Sequence, residues 1–142
     1  MTKHQLSPAD REFRRAVEAG RISPERFDHR AHVRLAYTYL AEHEPARAIQ
    51  LLRIGLLSFL LYHGVDASKY HETLTRAWIL AVRHFMEMAP PCASADAFIE
   101  GNPALLDKRI MLTHYSAAVL FSDEARFRFV EPDRERIPRY VA

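Results

Sequence analysis

The chain has 142 residues, 49% of them hydrophobic and 27% charged, a balance that suits one globular domain and excludes intrinsic disorder. Its 20 Lys and Arg against 18 Asp and Glu leave a net charge of +2, with 8 histidines that add charge only below about pH 6.5. Composition therefore demands no polyanionic partner. The single Cys92 excludes an internal disulfide framework and makes a cytoplasmic location the expectation.

The start, Met1 to Pro8, lacks the apolar run of a signal peptide. The most apolar stretch, Ile54 to Tyr62, falls short of the ~20 residues that span a bilayer, and its upstream extension meets Arg53, Gln50 and Arg47. No membrane association is expected. The pattern predicts an all-α fold: one domain over residues 1–142, an irregular bundle of four to five main helices with an extended C-terminal tail. Residues 1–6 and 132–142 are expected to be loose.

Ser7-Pro8-Ala9-Asp10 starts the first helix with a serine N-cap, a proline in the first turn and an acid beside it, and Gly20 stops it. Ser23-Pro24 repeats the start signal, and Asp28 is a second N-cap for a helix to about Glu42. Val33, Ala36, Tyr37 and Leu40 form its inward stripe, with His29 on that stripe and His32 at its edge. Pro45 begins a third helix, through Ala48, Leu52, Leu56, Phe59 and Leu60 to a cap at Gly64. With few polar positions it should be the most buried element.

A fourth helix starts near Ser68 and ends before Pro90-Pro91, with Leu74, Trp78, Ala81, Val82 and Phe85 inward. Glu72-Arg76 and Arg83-Glu87 are spaced for ion pairs on its outer face. His71 faces inward or caps the end. A short helix over Ser94 to Glu100 precedes Asn102-Pro103, which is predicted to cap a last long helix with a stripe at Leu105, Leu112, Tyr115 and Val119. Thr113 to Ser116 marks a point where that helix can break. From Arg126 to Val130 charged and apolar residues alternate, which reads as an extended tail or a short strand.

Antiparallel packing of successive helices brings His29, His32, His63 and His71 to one end of the bundle. Two histidines at i, i+3 and a third from another helix match the three-ligand pattern of a zinc, iron or manganese site, with Asp28 or Glu72 in support. His-x-x-His lacks the glutamate of a metallopeptidase helix. A metal-free reading is a small-ligand pocket lined by His29, His32, His71, Thr75, Trp78 and Tyr115. A third reading, from another class, is a non-enzymatic interaction or structural protein whose histidines are satisfied by backbone or carboxylates. A homo-oligomer is compatible with it.

Weaker candidates carry simpler explanations. Ser116 has no glycine elbow, and Cys92 has no adjacent His or cation. The arginines of residues 126–139 alternate with Phe127, Phe129 and Tyr140, but Glu124, Glu131, Asp133 and Glu135 dilute their charge, so nucleic acid is not the expected partner.

Phe27-x-His29-x-x-His32, Tyr70-His71-x-Thr73-x-Thr75, Asn102-Pro103-x-Leu105-Leu106-Asp107, Tyr115-Ser116 and Pro132-Asp133 together resemble the pattern of a family of small, uncharacterised helical bacterial proteins. The resemblance implies a shared fold over most of Phe27 to Pro138 and a bacterial source. It assigns no activity and no catalytic residue.

Overall fold

The computed structural model describes residues 3–140. It is all-α, and no strand occurs among the described residues. The helices are α1 (Pro8–Glu18), α2 (His29–Leu40), α3 (Pro45–Tyr62), α4 (Glu72–Met88), α5 (Ala95–Glu100), α6 (Ala117–Leu120) and α7 (Asp123–Phe127). Short 3-10 turns lie at Pro24–Arg26, Ala67–Lys69, Pro103–Leu106 and Lys108–Thr113.

Local chemistry explains where the main helices begin and end. At α1, the Ser7 hydroxyl accepts from Asp10 N–H and the Asp10 carboxylate accepts from Ser7 N–H, each at 3.0 Å, a closed capping box. Asp28 caps α2 by accepting from Ala31 N–H at 3.0 Å. Both α1 and α3 end in a glycine at positive φ, 72° at Gly20 and 64° at Gly64. There Arg21 N–H donates to Ala16 C=O and Val65 N–H to Leu60 C=O, which closes the last turn.

Helices α2, α3 and α4 pack on one another, α1 lies against α2 and α3, and α7 against α4. Their shared core contains Leu35, Tyr37, Ile79, Val82 and Phe98, all buried. A second core, with Ala77, Met111, Tyr115, Leu120 and Ile137, forms on the other side of α4. Trp78 packs against both.

Four expectations need correction. The chain after Asn102 is not one long helix, because Asp107, Ser116 and Ser122 each turn a side chain back onto a backbone N–H (of Arg109, Val119 and Ala125) and restart the chain. Arg126 and Phe127, expected to be extended, are the last residues of α7. Helix α3 is not the most buried element: Ile54 is 59% exposed and Leu61 82% exposed. It has 18 residues at a mean hydropathy of 1.2, long and apolar enough to cross a membrane by those measures alone.

The fourth correction concerns the termini. His4 accepts from Cys92 N–H at 3.2 Å and donates to Met86 C=O at 2.8 Å, and Tyr37 OH donates to Gln5 C=O at 2.7 Å. At the other end Ile137 is buried, and Tyr140 stacks on His84 with their polar atoms 2.8 Å apart. Met1, Thr2, Val141 and Ala142, part of the same expectation, lie outside the described residues.

Candidate functional site

The starts of α2 and α4 and the last turns of α3 do meet at one end, and they enclose a cleft of about 540 Å³. Its lining is mainly apolar: Val33 and Ala36 from α2, Leu52, Leu56, Phe59 and Leu60 from α3, Leu74 and Trp78 from α4. Phe27, just before α2, closes one side. The polar lining residues are Asp28, His29 and His32 at the start of α2, Lys69, Tyr70 and His71 before α4, Thr75 in the first turn of α4, and Lys108 from the 3-10 turn.

Each imidazole has its own environment. His29 Nε2–H donates to Leu105 C=O at 2.9 Å, and the ring meets the Trp78 indole edge-on at 4.7 Å. Burial lowers its pKa against the opposing effect of the Leu105 carbonyl, and the Lys108 charge lowers it further. The His32 ring rests 4.2 Å from the Phe27 ring. It lines the cleft and is exposed there. Desolvation by the surrounding protein, with nearby His29, lowers its pKa to about 4.

His71 serves structure at both nitrogens. Its Nδ1 accepts from Leu74 N–H at 3.1 Å, capping α4, and its Nε2–H donates to Leu120 C=O at 2.8 Å. Neither nitrogen retains a lone pair for a metal. Desolvation lowers its pKa, and the Arg126 charge adds to this.

Among the described residues no group of three His, Cys, Asp or Glu side chains is placed to hold a metal, the arrangement expected of His29, His32 and His71. The supporting carboxylates are committed elsewhere. Asp28 caps α2. Glu72, expected on the outer face, is 8% exposed and accepts from Arg53 Nε at 2.9 Å, from Arg53 Nη2 and from Tyr70 OH at 2.7 Å. Burial opposes its charge, but the Arg53 and Tyr70 donors outweigh that and hold its carboxyl below the ordinary range.

Five of the six residues expected in a ligand pocket line the cleft: His29, His32, His71, Thr75 and Trp78. Thr75 spends its hydroxyl proton on His71 C=O at 2.8 Å. Tyr115 is the exception; it is fully buried in the second core, its hydroxyl donating to Val130 C=O at 2.6 Å. His63 stays outside the lining, its ring 4.5 Å from that of Phe59.

The sequence reading missed the α3 side chains as cleft lining, because a helical stripe reads as core whether or not a void faces it. It also missed Lys69 and Lys108. Lys69 stands two residues from His71 and could have been noticed; Lys108 arrives only through the turn that replaces the expected helix. No family model, curated protein or solved structure matches the chain.

Proposed function

We propose that this protein binds a small, mainly apolar molecule in the cleft between α2, α3 and α4. One observation carries the reading: a preformed void of about 540 Å³ lined mainly by apolar side chains, with its polar groups drawn chiefly from the starts of α2 and α4 and from the two 3-10 turns beside them. That volume falls within the roughly 300–1,000 Å³ of small-molecule sites. His32 supports it further, as an imidazole facing the void with no hydrogen bond from its ring to the protein among the described residues. A ligand atom there would meet an imidazole that is neutral at pH 7 and able to donate or accept.

Trp78 is the only tryptophan and lines the cleft, so its emission reports on occupancy. Titration with the neutral apolar probe N-phenyl-1-naphthylamine should give a saturable 1:1 change in both probe and Trp78 emission. Leu56→Phe, which narrows the void, should weaken binding at least tenfold. Non-saturable behaviour, or equal binding by the narrowed variant, would remove the reading.

The second reading, association without a ligand, has its own observation. Ile54, Leu57 and Leu61 follow i, i+3, i+7 spacing on the outer side of α3, and all are exposed. Self-association through this face would appear as a concentration-dependent mass in sedimentation, abolished by Leu61→Lys. A monomer at all concentrations would dismiss it.

A further inference from the structure

The charge arrangement in the cleft lining defines the class of ligand, an inference that rests on the binding reading above. Lys69 ends the turn that leads into α4, and Lys108 projects from the 3-10 turn after Asp107. Both are exposed, and neither forms an ion pair among the described residues. The carboxylates around them are already engaged. Asp28 is held by the start of α2. Glu72 is held by Arg53 and Tyr70. Asp107 accepts twice from the Arg109 guanidinium, at 2.9 and 3.0 Å.

The lining thus presents two uncommitted ammonium groups against one carboxylate that serves as a helix cap. A single negative charge is the complement of that arrangement. Two lysines against one carboxylate leave one net positive charge, so a headgroup of one negative charge matches it better than a phosphate monoester, which carries about −1.5 to −2 at pH 7. The rest of the lining is mainly hydrocarbon, with Leu52, Leu56, Leu60, Leu74 and Trp78 in one cleft. A ligand that satisfies both the charge and the hydrocarbon is an amphiphile with a carboxylate head and an aliphatic body.

The geometry points to a medium-chain aliphatic carboxylate as the ligand class, its head between Lys69 and Lys108 and its chain laid along the leucines of α3. Hydrophobic burial supplies most of the affinity, at about 0.8 kcal/mol per methylene removed from water. The lysines supply the choice of headgroup and a salt-dependent component, because both are exposed to screening.

The test is a matched pair of ligands, dodecanoate and dodecanol, titrated below their aggregation thresholds at pH 7.4 and followed by Trp78 emission and calorimetry. The expected result is dodecanoate bound at least tenfold more tightly than dodecanol. In a Lys69→Met, Lys108→Met variant, both positions being exposed, the preference should shrink to within about twofold, chiefly through weaker dodecanoate binding. Equal affinity of the unaltered protein for both ligands would overturn the headgroup assignment and leave the cleft reading standing. A preference that survives loss of both lysines would overturn it as well. Failure of both ligands, while N-phenyl-1-naphthylamine still binds, rejects the aliphatic carboxylate; failure of all three rejects the cleft reading itself.

Discussion

Histidine in this protein works mostly as a two-ended connector. His71 ties the start of α4 to α6 through one accepted and one donated bond, which requires the neutral ring with its proton on Nε2. His71→Ala removes the cap and leaves the Leu120 carbonyl short of a donor, and should cost roughly 2 kcal/mol in denaturant unfolding. His71→Asp restores the cap alone, so about half that loss should return. The cleft histidines add a pH dependence. His29, His32 and His71 all have folded pKa values below the ordinary 6.5. As pH falls through 6.5 the unfolded chain takes up protons that the folded chain refuses, so stability declines, and the decline continues toward pH 4, where His32 itself protonates. The melting temperature should be flat from pH 8 to 7 and fall between 6.5 and 5. That window lies above the carboxylates: Asp10, Glu42 and Glu72 are held below their usual values and lose their contribution only below about pH 4.5. A His32→Gln variant should show a shallower decline; an unchanged one would show that the ring is hydrated enough to titrate normally.

Among the elements, the ends of α1 and α3 are coupled through one glycine. Gly20 has φ of 72°, and a Cβ there would stand 2.5 Å from Cγ and 2.7 Å from Cβ of Tyr62. Both the left-handed backbone and the close approach exclude a side chain. Gly20→Ala should therefore destabilise by about 2 kcal/mol, a loss of roughly 6 °C in melting temperature. Gly64, also at positive φ but with open space around it, should cost only the backbone strain when changed to Ala, about 1 kcal/mol. Sequence marked both glycines as helix stops, since glycine after a periodic run is a strong signal. It could not separate them, because the Tyr62 contact brings together residues far apart in the chain.

Across the whole molecule, Asp10 is the polar pivot. It is 1% exposed, and besides capping α1 it accepts from Ala95 N–H at 2.9 Å and from the Arg34 guanidinium at 3.1 Å, so one carboxylate joins α1, α2 and the start of α5. Burial opposes its charge, but the donors from Ala95, Ser7 and Arg34 outweigh burial and lower its pKa. Asp10→Ala strands a buried N–H and an ionic partner and should cost about 3 kcal/mol. Asp10→Asn, which keeps the shape, should recover part of it. The C-terminal segment is fastened in a similar way: Thr73 donates to Arg128 C=O at 2.9 Å and accepts from Val130 N–H at 3.1 Å. The Arg76 guanidinium lies 4.3 Å from the centre of the Phe129 ring. The tail aromatics Phe129 and Tyr140 thus pack on the bundle, while Phe127 is exposed.

The sequence by itself determined the helices that declare themselves locally. Caps at Ser7, Asp28 and Ser94, stops at Gly20 and Gly64, and the apolar stripes of α2 and α4 are short-range signals, each carried by residues a few positions apart. That His29, His32 and His71 share one end of the bundle followed from the sequence only with an assumed antiparallel order of neighbours, and it is the tertiary structure that lines one cleft with all three. Only the tertiary structure decided what those histidines do. Whether an imidazole nitrogen is free or spent depends on carbonyls such as Leu105 and Leu120, 76 and 49 residues away in sequence. Backbone acceptors leave no mark in side-chain identity, so no pattern of residues could have revealed them. The same holds for the cleft: a leucine beside a void and a leucine in a packed core occupy the same helical position. Only the distance to the opposing helix tells them apart.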